Sequence, residues 1–155
     1  MHVLLISEDT ADHLLFQRSI QQLSVAHSFT ACESISDAHT RLASSQRLPP
    51  NLIFIDFELS QKQRAELDQL LESNDELRAV PLIVIAQCSA QEEIEAAYRL
   101  LAPCFLAFPE QVELRQQKIH ACLEFWSNCA ARPEGRLTYE GEQPDPPSML
   151  FARAR

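Results

Sequence analysis

The sequence predicts an α/β protein with a five-stranded parallel sheet covered by helices on both faces. Short apolar runs of strand length alternate along the chain with segments of helical periodicity, and that alternation implies parallel strands joined by right-handed crossovers. Residues 52–55 of NLIFIDFEL are apolar without interruption, as expected of a strand buried on both faces. Asp56 then ends that run. A carboxylate there is costly unless a site uses it, and the carboxyl ends of strands are where open α/β sheets bind ligands.

The elements follow in order. His2–Ile6 (HVLLI) is the first strand, closed by Ser7, Glu8, Asp9 and Thr10. Residues 11–23 carry Leu14, Leu15, Phe16, Ile20 and Leu23 at helical spacing, with Asp9 or Thr10 as N-cap. Residues 29–32 form a weaker strand, less apolar and suited to a sheet edge. Residues 36–43 make a short helix with Ala38 and Leu42 inward, and SSQRLPP is a loop. The third strand is 51–56. Ser60 with Gln63 is a capping box for a helix over 64–72, with Leu67, Leu70 and Leu71 inward. Pro81 introduces the strand Leu82–Ala86. Ser89 with Glu92 is a second capping box, opening a helix to about Leu101. Cys104–Ala107 is the fifth strand, and Pro109 falls in the first turn of a last helix, 110–128, ending in Leu123, Phe125 and Trp126. Five such units most often adopt the flavodoxin-like doubly wound order 2-1-3-4-5. That order sets strands one and three side by side, about 4.8 Å apart, and brings Glu8 and Asp9 next to Asp56.

Composition narrows the function. At 155 residues one domain with a proper core is expected, here residues 1–130, followed by a flexible or docking tail at 131–155. The net charge of −9 argues against a nucleic-acid surface, which needs clustered Lys and Arg. The tail is neutral, because Arg132, Arg136, Arg153 and Arg155 balance Glu134, Glu140, Glu142 and Asp145. No apolar run approaches the ~20 residues of a membrane span, and no signal peptide opens the chain, so a cytoplasmic protein is expected. Cys32, Cys88, Cys104, Cys122 and Cys129 form no CxxC pair and read as small buried thiols. Both glycines, Gly135 and Gly141, lie in the tail. A body without glycine has no glycine-rich phosphate loop, which weakens any flavin- or nucleotide-binding reading. The five histidines show no metal-ligand spacing, and no serine or cysteine nucleophile is paired with a base.

Three carboxylates at one crevice, Glu8, Asp9 and Asp56, must either shift their pKa values upward or share a cation. An oxygen-only set suits a hard, partly hydrated ion such as Mg²⁺. A carboxylate can also attack a phosphoryl group to give an acyl phosphate, with Mg²⁺ offsetting the transferred charge. The alternative reading is that Glu8 and Asp9 merely cap the first helix and favour its positive end.

The segments LLISED (4–9), LIFID (52–56), VPLIVIA (80–86), SAQEE (89–93), CFLAFP (104–109) and LEFW (123–126) together resemble the receiver domain of bacterial two-component response regulators. The resemblance covers residues 2–128 and is strongest to the stand-alone receivers that work beside bacterial phytochromes and related sensor histidine kinases. It implies a signalling protein rather than an enzyme, with Asp56 as phosphate acceptor. Glu8 and Asp9 would be the acidic pair, and the Glu58 backbone carbonyl a further Mg²⁺ ligand. It implies a sensor kinase as partner, and a homodimer through the fourth helix, fifth strand and fifth helix.

Two departures stand beside the matches. The family's hydroxyl residue at the end of strand four is Ala86 here, thirty residues after Asp56, and its Lys before the strand-five proline is Phe108. Phe105 keeps the aromatic position that follows that hydroxyl. Each lost charge-assisted contact is worth roughly 1.5–3 kcal/mol, enough to slow phosphorylation without excluding it. Phe105, Phe108 and Trp126 read first as core aromatics; the alternative is a dimer or partner face of the fourth helix, fifth strand and fifth helix, which an apolar Phe108 at the expected crevice mouth favours. The alternative function is therefore a pseudo-receiver, an interaction module that works without phosphate.

Overall fold

The computed structural model describes residues 1–24, 26–43, 49–56, 61–87, 91, 94, 95, 98 and 104–130. Its strands are β1 (His2–Ile6), β2 (Ser28–Cys32), β3 (Leu52–Asp56), β4 (Leu82–Ala86) and β5 (Cys104–Ala107). They pair in parallel in the order β2-β1-β3-β4-β5. The helices are α1 (Thr10–Gln21), α2 (Ile35–Ala43), α3 (Gln61–Glu72), a single turn α4 (Asp75–Arg78) and α5 (Val112–Asn128). Gln91, Ile94, Glu95 and Tyr98 are helical as well. No helix among the described residues is long and apolar enough to cross a membrane.

Strand burial follows position in the sheet. The inner strands β3 and β4 are buried along nearly their whole length, whereas β2 and β5 at the edges are half-exposed. Because side chains alternate across a strand, the sheet divides the core in two. Leu4, Ile6, Ile53, Ile55 and Val84 face α2, α3 and α4 with Ala38, Leu67 and Leu77. Val3, Leu5, Phe54, Ile83 and Ile85 face α1 and α5 with Phe16, Ile119 and Leu123. Phe16 meets Phe54 edge-on at 4.7 Å between ring centroids, a favoured aromatic geometry.

The α4 turn was not anticipated; its cap is local, the Asn74 side chain accepting from the Glu76 N–H. The last helix begins at Val112 rather than 110, with Gln111 as N-cap. Pro109 therefore precedes the helix instead of occupying its first turn. The reason lies in the sheet: the Phe108 N–H donates to the Ala86 carbonyl at 2.7 Å, so pairing continues one residue past β5 and the chain needs more residues to turn. The two capping boxes at Ser60 and Ser89, most of the 89–101 helix and the 131–155 tail lie outside the described residues.

Candidate functional site

β1 and β3 run side by side with Ile6 opposite Ile55, so Ser7 and Asp56 leave the sheet together. The Ser7 hydroxyl is buried. It accepts from the Asp9 N–H at 3.1 Å and donates to Asp56 Oδ2 at 3.5 Å. The Ser7 N–H is held by the Cys32 carbonyl of β2, and its own carbonyl accepts from His13 Nε2 at 2.7 Å. Asp9 is the N-cap of α1, its Oδ1 accepting from the Ala11 N–H at 2.8 Å. Glu8 is exposed and accepts from Gln63 Nε2 of α3 at 3.2 Å.

These residues line a cleft of about 290 Å³ formed by Ile6, Ser7, Glu8, Asp9, Glu33, Asp56, Gln63 and Gln87. Glu8, Asp9 and Asp56 are thus brought to one crevice, and Glu33 joins them. Among the described residues of that lining there is no Lys or Arg side chain. Glu8, Asp9 and Asp56 share the cleft without converging: among the described residues no three His, Cys, Asp or Glu side chains are grouped to hold a metal ion. Asp9 is turned to its capping bond and Glu8 to Gln63. The donor set still fits Mg²⁺, which keeps several waters and needs only one or two carboxylates. The expected ligand carbonyl of Glu58 lies outside the described residues.

The other expected site residues lie elsewhere. Ala86 is 3 % exposed and packs into the α2–α3 side of the core with Phe105. Its neighbour Gln87 lines the cleft instead. Phe108 does not stand at the crevice mouth as a contact residue. It is 4 % exposed, and by alternation it joins Cys104 and Leu106 on the α1–α5 side. Trp126 is half-buried on that same side, its ring edge-on to the exposed Phe125.

Sequence reasoning missed Ser7, Glu33, Gln63, Gln87, Asp12 and Arg115. Asp12 lies three residues after Asp9 on α1, hence on the same helix face, and that spacing could have found it. Its carboxylate is buried and pairs with Arg115 of α5, Nη1 to Oδ1 at 3.2 Å. Burial chiefly, then the nearby Asp9 charge, pushes Asp12 above the ordinary carboxylate range. Arg115 opposes the shift and Asp56 adds to it. The Arg115 guanidinium stands 5.3 Å above the Phe108 ring. A pair 103 residues apart in the chain leaves no local pattern to read. Lys118, by contrast, donates to the Ala107 carbonyl at 2.7 Å. That carbonyl belongs to the peptide unit whose N–H faces β4, so it points the opposite way, off the sheet edge.

No protein-family model matches the chain. It is similar to the response regulator Rcp1 of Synechocystis sp., 22% identical over 137 residues, covering 84% of this chain and 92% of that protein. Among solved structures it resembles the phosphorylated cyanobacterial phytochrome response regulator RcpA, with a TM-score of 0.75 at 22% identity over 86% of this chain and 98% of that one. It also resembles the Mn²⁺-bound form of Rcp1, with a TM-score of 0.74 at 22% identity over 86% of this chain and 99% of that one. A response regulator in red light signalling of R. palustris follows, with a TM-score of 0.69 at 17% identity over 86% of this chain and 99% of that one. With its strand order and its carboxylate cleft at the rim between β1 and β3, the chain has the receiver fold of response regulators.

Proposed function

We propose that the protein is a receiver of two-component signalling in which Asp56 accepts a phosphoryl group. The observation that carries this is the placement of Asp56 at the end of β3, in one cleft with Glu8 and Asp9 from the end of β1. The likeness to a phosphorylated and to a Mn²⁺-bound response regulator supports it. In the reaction an Asp56 carboxylate oxygen attacks phosphorus, the bond from phosphorus to the donor breaks, and an acyl phosphate remains. A divalent ion such as Mg²⁺, when bound, neutralises charge on the transferred group; Asp9 and Asp56 are the residues to hold it, with Glu8 beside them. Ser7, whose hydroxyl donates to Asp56 Oδ2 at 3.5 Å, contributes to orienting the nucleophile.

The donor is a phosphohistidine of a sensor kinase. A dimer through the fourth predicted helix, β5 and α5 would bury Tyr98, Val112, Leu114 and Phe125, all exposed apolar side chains.

Acetyl phosphate with Mg²⁺, followed by intact mass, tests the reading. One added phosphate on the wild type and none on Asp56→Asn is expected. An unlabelled wild type, or equal labelling of both, sinks it. A second reading, an interaction module independent of phosphate, is favoured by the core positions of Ala86 and Phe108. It predicts that dimerisation or partner binding survives Asp56→Asn unchanged.

A further inference from the structure

The described lining of the cleft contains four carboxylates, Glu8, Asp9, Glu33 and Asp56, and no cationic side chain. Charge of one sign in a partly enclosed site raises the local potential and must be offset nearby. One cation is tied into this acidic set from behind. Arg115 donates from Nη1 to Asp12, which sits one turn along α1 from Asp9. Its Nε and Nη2 both reach the Pro109 carbonyl, at 3.4 and 3.5 Å. Its flat face rests on Phe108. Held on three sides and nearly out of water, with a side chain only 10% exposed, the guanidinium cannot swing out to solvent as a surface Arg does. Its field is accordingly little screened. Asp12, its partner, is itself within electrostatic reach of both Asp9 and Asp56.

We propose that Arg115 is the built-in counter-charge of the acidic cleft, fixed by Asp12, Pro109 and Phe108, and that it lowers the cleft's affinity for divalent cations while favouring a bound phosphoryl anion. Phe108 then has a definite role, because its ring fills the core side and is the platform on which the guanidinium lies. Arg115 touches none of the reacting atoms; it acts by position. The inference rests on the reading of the cleft as a metal and phosphoryl site.

The test separates charge from shape. Asp12→Asn leaves Arg115 charged with a neutral partner of the same size, and Asp12→Asn/Arg115→Gln removes that charge while keeping a polar pair. Mn²⁺ titration followed by electron paramagnetic resonance is expected to show the double variant binding about threefold more tightly than Asp12→Asn, the order of effect of one partly screened unit charge near the cleft. Asp12→Asn/Arg115→Lys should bind as Asp12→Asn does, because the charge is restored. Equal Mn²⁺ affinity in all three overturns the proposal. If the wild type binds no Mn²⁺, the metal reading of the cleft has failed, and a metal-free measurement decides about Arg115. Urea unfolding in EDTA should then show Asp56→Asn raising the midpoint more in the Arg115→Gln background than with Arg115 present. Equal rises in the two backgrounds overturn the proposal.

Discussion

The two ends of the sheet's carboxyl rim are built on opposite terms. At the β1–β3 end, carboxylates are gathered in the open: Glu8 and Glu33 are exposed, Asp9 and Asp56 half-buried, and water can screen them. At the β5–α5 end, charge is taken inside. Asp12 and Arg115 are buried with each other, against Phe108, and are nearly closed off from water. The open end can tolerate repulsion because water reaches and screens its carboxylates. The closed end tolerates charge only as a pair, since desolvation is costly unless each group is matched. The position of a charge in the fold, more than the number of charges, therefore decides whether it faces solvent or acts from within the fold.

The greatest change is expected when the closed end is broken. Asp12→Ala or Arg115→Met alone leaves one buried charge unpaired and should cost about 3–5 kcal/mol in urea unfolding, while Asp12→Leu with Arg115→Met should cost far less. Comparable losses in single and paired variants would show that packing, not charge, sets the energy there.

A smaller effect probes the contrast at the middle of the rim. Ala86→Thr restores a hydroxyl at the end of β4, but the site is 3 % exposed and already filled. Overpacking should lower stability by about 1–3 kcal/mol. A variant as stable as the wild type would show that the rim has room for the hydroxyl.

The least change is expected behind Phe108, where Cys104 of β5 and Cys122 of α5 pack on the same core face. A hydrogen bond from the Cys122 thiol holds Cys104 down to about 7, while that bond and burial push Cys122 up. Alkylation of Cys104 by iodoacetamide should therefore rise between pH 6 and 8 with a midpoint near 7, and Cys122→Ala should move that midpoint upward, as peptide mass spectrometry would show. A depressed thiol stabilises the fold above its unfolded value of 9.0, and that contribution is lost as pH falls through about 7. An unmoved midpoint in Cys122→Ala would assign the shift to another cause.

Most of the fold was legible because its signals are local. β1, β4 and β5 begin and end where their apolar runs do, and Asp9 caps α1 with its own carboxylate. The edge position of β2 followed from its weaker apolar character, and the inward faces of α2 and α3 from their spacing. The shared cleft of Glu8, Asp9 and Asp56 followed from strand order alone, since adjacent parallel strands deliver their carboxyl ends to one rim. The start of α5 was misplaced because a proline signals a first turn equally well when it stands just before the helix.

The alternation of strands and helices, hence a parallel sheet, and the residue types at its rim were already set by the order of residues. They rest on periodicity and on bonds between near neighbours. Which carboxylates stay open to water, and which is buried with a partner, was settled by tertiary packing. That packing turned Phe108 inward with Cys104 and Leu106, and set the Arg115 guanidinium between that ring and Asp12. Such choices depend on contacts between distant segments and on the local dielectric they create, and neither quantity is written in any window of the chain.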